Sequence, residues 1–177
     1  MSDAPKAETK KRPTLATASI PLPAFYRLFF LTIEPISALV GAFFAHFRQH
    51  DYLTMTHAAS TATSLDADGN VPVVTSVVLS QLANLYLLFT LNEALVLRTT
   101  ADRRVWRTLL FGLLVADLGH LYSLRSLGSD IYWRADQWNA MAWGNVPFVY
   151  VGASMRLAFL WGVGLSGPQL VTKGKRV

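Results

Sequence analysis

Five ionisable side chains lie inside long apolar stretches of the sequence: Glu34, Glu93, Asp117, His120 and Arg156. An ionisable group at the centre of a bilayer costs at least about 2.5 to 3.5 kcal/mol, so such residues usually face a protein interior or a water-filled cavity. Carboxyl groups that lie close together tend to retain a proton, and a protonated carboxyl beside an ionised one can perform general acid and base catalysis. These five residues are therefore predicted to be catalytic.

Four apolar runs determine where the five residues lie. A bilayer core about 30 Å thick requires about 20 mainly apolar residues in a helix. The runs cover residues 25–47, 73–97, 105–127 and 141–163, the third being interrupted by Asp117 and His120. None shows the alternation of a membrane β-strand. The sequence predicts an all-α fold, a polytopic membrane protein whose four-transmembrane-helix bundle spans residues 24–167.

The composition excludes several classes of protein. Of the 177 residues, 52% are hydrophobic and 15% are charged, against roughly 25% charged residues in an average soluble domain. An ordinary soluble enzyme is excluded on that ground. The absence of cysteine excludes a disulfide framework and a thiolate nucleophile. The net charge of +5 could indicate a nucleic-acid partner. The basic residues, however, form short clusters between apolar runs, which is typical of membrane proteins whose loop charges set their orientation in the lipid bilayer.

The distribution of Lys and Arg predicts the orientation of the bundle. If the four runs alternate across the membrane, twelve of the sixteen basic residues fall on one side, in residues 6–27, 98–107 and 173–176. Basic residues concentrate on the cytosolic side, so both termini are predicted to be cytosolic, with a disordered tail at residues 1–23 and a basic tail at 168–177. The first run is too long for a signal peptide and has no clear cleavage site.

The last five residues, 173–177, read Lys-Gly-Lys-Arg-Val. They resemble the lysine-x-lysine-x-x retrieval signal of endoplasmic reticulum membrane proteins, which requires a cytosolic C-terminus. The resemblance implies an endoplasmic reticulum location. The alternative is a basic tail that only sets topology.

Helical geometry predicts a common depth for most of the charged residues. At 1.5 Å per residue, Glu34, Asp117 and Arg156 lie roughly 10 to 18 Å below the cytosolic surface, and Glu93 lies about two turns nearer to it. Polar faces are expected to turn toward one interior cavity rather than toward lipid. The neutral residues predicted to line this cavity and bind substrate are Gln81, Asn84, Tyr86, Asn92 and Asn145.

A structural interpretation competes with the catalytic one. In it, Arg156 pairs with Asp117 or Glu34 and only holds the helices together, and Glu93 is an interfacial charge. One ion pair would leave a further carboxylate, a histidine and two asparagines unexplained.

Three histidines follow the first run at loose spacings, which is a weak metal signal, and no phosphate loop or nucleophile elbow is present. No metal and no cofactor are expected.

Several segments together resemble a family of small fungal four-span integral membrane proteins. They are FYRLFFLTIEP at residues 25–35, LNEA at 91–94, the Asp-x-x-His pair at 117–120 and the arginine at 156, within a resemblance that covers residues 21–167. The chain is more distantly similar to membrane-bound cyclases, isomerases and epoxide hydrolases of fungal secondary metabolism. That resemblance implies a lipophilic polyketide or terpenoid substrate. The alternative is a non-catalytic transport or assembly partner, and either allows a homodimer.

Overall fold

The computed structural model describes residues 22–165, and every regular element in that range is a helix. The all-α prediction is confirmed. The main helices are α1 (Ala24–Phe47), α2 (Gln49–Ser64), α3 (Val73–Leu97), α4 (Arg103–Ser123), α5 (Ala140–Asn145) and α6 (Pro147–Trp161), and the 3₁₀ helices Leu124–Leu127, Ser129–Tyr132 and Ala135–Gln137 join α4 to α5. The predicted tails, except for Leu22 and Pro23, and the retrieval pattern at 173–177 lie outside the described residues.

Within residues 22–165, two helices, α1 and α3, are long and apolar enough to cross a membrane, whereas the sequence predicts four. Only 28% of the most apolar window of α1 and 17% of that of α3 are buried inside the protein, so most of their apolar side chains point outward. Helix α4 carries Arg103, Arg104, Arg107 and Asp117, and α6 has 15 residues. The third and fourth apolar runs therefore form helices that are either more charged or shorter than α1 and α3.

The region between the first two runs is also helical, because residues 49–64 form helix α2, which is kinked at His57 (φ −161°, ψ 93°). It begins after Arg48, whose φ of −126° interrupts the helix. Three threonine hydroxyls of α2 donate to backbone carbonyls of the same helix, as when Thr56 donates to the Tyr52 carbonyl at 2.7 Å. Tyr52 and Thr61 are buried, and α2 contacts both α1 and α5. It therefore packs over one end of the helical bundle.

The fourth run is not one continuous helix as predicted. It divides at Val146 (φ −116°, ψ −73°) into α5 and α6. The cause is Pro147, because a proline disfavours the helical conformation of the residue before it and has no N–H to continue the hydrogen-bond pattern. The longer piece, α6, begins at this proline and contains Arg156.

The N-terminus of α1, the C-terminus of α3, the N-terminus of α4 and the C-terminus of α6 meet at one end of the molecule. Their buried apolar residues there form one cluster: Tyr26, Phe29, Phe30, Leu97, Trp106, Leu110, Leu113 and Phe159. The Tyr26 hydroxyl donates to the Val163 carbonyl at 2.9 Å, and Arg107 Nη1 donates to the Leu160 carbonyl at 2.6 Å. A second cluster, Ala45, Tyr52, Leu79 and Ala83, lies toward α2.

The end of α6 is fixed by a glycine in the left-handed conformation. Gly162 has φ +84°. Its N–H bonds to the Phe159 carbonyl at 3.0 Å, and the Val163 N–H bonds to the Ala158 carbonyl at 2.9 Å. This pair of bonds is a Schellman motif, which satisfies the last carbonyls of a helix. Because α6 ends here, its C-terminus lies against the start of α1.

Candidate functional site

The Arg156 guanidinium donates to three carboxyl groups inside the helical bundle. Nη1 lies 2.8 Å from Asp117 Oδ2, and Nη2 lies 2.7 Å from Glu34 Oε1 and 3.2 Å from Glu93 Oε1. Arg156 and Glu93 are fully buried, and Glu34 and Asp117 are 5% and 7% exposed. We call these four residues the Arg156 cluster.

Each member of the Arg156 cluster comes from a different helix. Glu34 lies on α1, Glu93 on α3, Asp117 on α4 and Arg156 on α6. The structure therefore brings together four of the five residues predicted to be catalytic. It also joins Glu93 to the other three, although its position in the sequence placed it nearer the cytosolic surface. The cluster therefore links α1, α3, α4 and α6 in one hydrogen-bonded unit.

The charges of the Arg156 cluster do not balance if every acid is ionised, because three carboxylates would face one guanidinium. Uncompensated charge in an apolar interior is very costly. Glu34 Oε2, Glu93 Oε2 and Arg156 Nε are buried and have no hydrogen-bond partner within the described part of the chain. Protons shared among the carboxyls would reduce the excess negative charge, so the cluster is suited to holding and exchanging protons.

Gly152 makes room for the guanidinium. It lies four residues before Arg156 on α6, and an added Cβ there would lie 2.7 Å from Arg156 Nη1 and 3.0 Å from Glu34 Oε1. Helical side chains lean toward the N-terminus and cover the preceding turn. Sequence reasoning missed Gly152, although a glycine one turn before a buried arginine was a usable signal.

Two phenylalanine rings complete the surroundings of the guanidinium. The Arg156 Cζ atom lies 5.6 Å from the centroid of the Phe30 ring and 5.4 Å from that of Phe89. An aromatic face attracts a cation within about 6 Å. These rings therefore stabilise Arg156 without supplying a negative charge. No pattern in the sequence separates these two phenylalanines from other apolar core residues.

Both glutamates occur where a helix departs from α-helical geometry. Residues Phe29–Ile33 of α1 form a π-helical segment that ends immediately before Glu34, and Asn92–Leu97 of α3 form another that contains Glu93. Such segments are rare and occur frequently at functional sites. Each one rotates the following side chains relative to a regular helix, which helps to orient the two carboxyls toward Arg156.

Pro35 accounts for the irregularity in α1. It has no N–H, so the Leu31 carbonyl loses its helical donor, and Arg98 Nη2 donates to that carbonyl at 2.5 Å instead. The Pro35 carbonyl accepts a bond from Thr90 Oγ1 at 3.2 Å. The two irregular regions of α1 and α3 are thus bonded to each other beside Glu34 and Glu93.

His120 lies one turn beyond Asp117 on α4 and makes no hydrogen bond to the Arg156 cluster. Its buried Nε2 has no hydrogen-bond partner among the described residues. The Asn145 side chain lines a small cavity with Met55 and Met141. His120 and Asn145 therefore lie outside the hydrogen bonds that form the Arg156 cluster.

The prediction that the polar residues of α3 face an interior cavity is wrong for Gln81 and Asn84, because both are exposed. The buried side of α3 passes through Leu79, Ala83 and Thr90, and a rotation of about 100° per residue turns Gln81 and Asn84 away from it. Neither contacts the Arg156 cluster, so their predicted role in binding substrate there has no support.

The remaining predicted binding residues of α3 also lie apart from the Arg156 cluster. The Tyr86 hydroxyl lies 3.3 Å from that of Tyr52 on α2, in the second apolar cluster. Asn92 is half-buried at the first position of the π-helical segment and makes no side-chain hydrogen bond within residues 22–165. Its contribution to the site is the backbone geometry that precedes Glu93.

The chain belongs to a family described as a domain of unknown function (DUF7704), whose model matches residues 19–166. The match includes every member of the Arg156 cluster. No curated protein and no solved structure matches the chain.

Proposed function

We propose that this member of the DUF7704 family is a four-span membrane protein whose Arg156 cluster performs acid–base chemistry on a lipophilic substrate. The observation that carries the proposal is the joining of three buried carboxyls to one guanidinium, with two carboxyl oxygens that have no partner among residues 22–165. This arrangement provides a proton donor and a proton acceptor within one site. The substrate is a polyketide or terpenoid intermediate that enters from the bilayer.

The outward surface supports the membrane part of the proposal. Large apolar side chains are exposed along both candidate spans, including Phe43 and Phe47 on α1 and Val73, Val74 and Leu85 on α3. Soluble monomers rarely expose continuous apolar surface on this scale. We propose that α4 and the α5–α6 pair cross the membrane beside α1 and α3, with both termini in the cytosol, and that the protein resides in the endoplasmic reticulum.

The proposed reaction is the opening of an epoxide. A protonated carboxyl, Asp117 or Glu34, donates its proton to the epoxide oxygen while the carbon–oxygen bond breaks. Water attacks the electron-deficient carbon, and an ionised carboxylate of the same cluster accepts the proton that water loses. Epoxide plus water gives a diol, and the cluster has exchanged one proton internally. If an internal hydroxyl or alkene of the substrate attacks instead, the same steps give a cyclised or isomerised product.

A second candidate function is supported by the closure of the Arg156 cluster, by which we mean that its groups are buried and already bonded to one another. Arg156 and Glu93 have no exposed surface, and both terminal nitrogens of the guanidinium already bond to carboxyls. This closure favours a non-catalytic membrane protein whose buried charges hold four helices together. For the enzyme, the same closure means that α1 and α3 must separate near their π-helical segments to admit a substrate.

Conservative replacements distinguish the two functions. Glu34→Gln, Glu93→Gln and Asp117→Asn imitate a protonated carboxyl, so the fold should persist while proton transfer is lost. Catalysis by one acid or base contributes about 10²- to 10⁴-fold. The measurement is mass spectrometry of lipophilic metabolites in the producing organism, comparing the wild type, a gene deletion and each variant at equal protein level. Asp130→Asn, which changes an exposed acid far from the cluster, is the matched control.

The enzyme proposal predicts that one product disappears in the deletion and falls at least a hundredfold in the cluster variants, with the control unchanged. If the deletion alters no lipophilic metabolite, the enzyme proposal is wrong. Arg156→Met tests the structural role separately, because it leaves buried carboxyls without their partner. Removing one member of a buried ion pair costs about 3 to 5 kcal/mol, so the thermal midpoint of the purified protein should fall sharply.

A further inference from the structure

One face of α3 carries a regular pattern that nothing in the described part of the chain covers. Six residues at alternating spacings of three and four are all exposed: Val74, Val77, Gln81, Asn84, Leu88 and Leu91. We call them the α3 seam. This spacing is the heptad pattern of the contact positions in a left-handed coiled coil. The seam lies on the side of the helix opposite Leu79, Ala83 and Thr90, which face the rest of the molecule.

The centre of the α3 seam is polar. Gln81 and Asn84 lie eight and eleven residues after the start of a 25-residue helix, which corresponds to a depth of roughly 12 to 17 Å. Neither side chain has a hydrogen-bond partner among residues 22–165. In a membrane-spanning helix, amide side chains in this position would face hydrocarbon, where their donors and acceptors have no water to bond.

We propose that the α3 seam binds the α3 seam of a second copy, forming a parallel helix pair in the membrane. This proposal rests on the crossing of the membrane by α3 proposed above. Two copies inserted with the same topology carry α3 in the same direction, so a two-fold axis along the membrane normal places each seam residue opposite its own counterpart. Gln81 then meets Gln81 and Asn84 meets Asn84.

The chemistry of the amide group favours a second copy as the occupant. A carboxamide both donates and accepts hydrogen bonds, so it is complementary to itself, whereas a carboxylate or an ammonium would repel its counterpart. A single amide at a contact position of a parallel coiled coil fixes the register and favours a dimer. The apolar seam residues on either side, Val74 and Val77 before and Leu88 and Leu91 after, would pack beyond the amide pairs.

The natural sequence has no cysteine, so disulfide formation between single introduced cysteines tests the seam directly. Val77→Cys and Leu88→Cys lie on the seam. Val78→Cys and Leu87→Cys are matched controls, because they are also exposed, lie at nearly the same depths, and point about 90° away from the centre of the seam. Each full-length variant is oxidised in native membranes, and the fraction of disulfide-linked dimer is measured by non-reducing electrophoresis.

The proposal predicts that both seam cysteines form dimers at least tenfold faster than the cysteine next to them. It predicts that adding Gln81→Leu and Asn84→Leu to the Val77→Cys variant lowers the dimer fraction roughly tenfold, since an interhelical amide bond in a membrane contributes about that factor. Equal rates at all four positions, or no disulfide at any of them, would overturn the α3 seam as a dimer interface. Insensitivity to the Leu replacements would overturn the role of the amides.

A labelling experiment separates failure of the dimer from failure of the membrane arrangement. The same four cysteine variants are exposed to a water-soluble maleimide in intact membranes. Slow labelling at all four positions together with absent crosslinks rejects the dimer and retains the crossing of the membrane by α3. Fast labelling at all four positions shows that water surrounds α3, which rejects both the dimer and the proposed membrane arrangement.

Discussion

At the scale of single residues, the Arg156 cluster combines a strong attraction between the guanidinium and its carboxyl partners with more carboxyl groups than one guanidinium can neutralise. The guanidinium uses Nη1 for Asp117 and Nη2 for the two glutamates, so its position depends on three helices besides its own. The residue types were readable from the sequence, but Glu93 was expected about two turns away from the other three and instead bonds to the same guanidinium. The close contact with Gly152 follows from the way the arginine side chain folds back along its own helix.

Gly152→Ala tests this close contact. The added methyl group would lie within 3.0 Å of atoms in both Arg156 and Glu34, and those atoms are held by buried ion pairs. We expect the thermal midpoint to fall by several degrees, corresponding to an overpacking cost of about 1 to 3 kcal/mol. Differential scanning fluorimetry of the purified protein measures the change.

Gly119→Ala supplies the control for that substitution. Gly119 lies within helix α4, and a Cβ there would meet nothing within 4 Å, so the thermal midpoint should stay the same or rise slightly because alanine is the better helix former. Equal effects of the two replacements would show that the Arg156 guanidinium does not depend on the space beside Gly152.

At the scale of helical elements, the irregularity of α1 is linked to α3 through Arg98. Pro35 leaves the Leu31 carbonyl without its helical donor, and the Arg98 side chain replaces that donor from α3. A proline inside an apolar run indicates a helix kink from the sequence alone, because it removes one backbone hydrogen bond. The partner of the freed carbonyl is not indicated in this way, because it lies 67 residues away on another helix.

A double-mutant cycle measures this link. Arg98→Gln should destabilise the protein by about 1 to 3 kcal/mol, since it leaves a carbonyl without a donor. Pro35→Ala restores the N–H that can bond the same carbonyl, so Arg98→Gln should cost much less in the Pro35→Ala background. Free energies of unfolding in a mild detergent give all four corners of the cycle.

Arg104→Gln is the matched control for the cycle. It removes one positive charge from an exposed site at the same end of the molecule, and we expect a change within about 0.5 kcal/mol. Additive costs of Arg98→Gln and Pro35→Ala would mean that Arg98 does not substitute for the missing N–H of residue 35.

At the scale of the whole molecule, the segments that join successive helices are divided between two ends of the protein. Residues 98–107, which join α3 to α4 and form the first turns of α4, contain four arginines, and the segment joining α2 to α3 contains Asp66 and Asp68. If α3 crosses the membrane, these two segments face different compartments. The charge pattern predicts that the α3–α4 segment is cytosolic.

Single cysteines in the two segments test the arrangement. In sealed microsomes whose cytosolic face is outward, Ala101→Cys should react at once with a membrane-impermeant maleimide, because it lies between α3 and α4. Ala67→Cys, between α2 and α3, should react only after detergent opens the vesicles. Immediate labelling of both cysteines in sealed vesicles would contradict a crossing by α3.

The sequence by itself determined the helical class and the approximate limits of α1, α3 and α4, and it singled out the four ionisable residues that are buried, because these depend on local hydropathy and on the cost of charge in an apolar environment. It did not determine which side of α3 faces the protein: Gln81 and Asn84 were predicted to line an interior cavity, and both are exposed. That choice depends on how α3 packs against α1, which no local pattern records. Only the tertiary structure shows that one guanidinium donates hydrogen bonds to three carboxyls from three other helices. Residues at similar depths form hydrogen bonds only where the helices pack with those side chains facing one another.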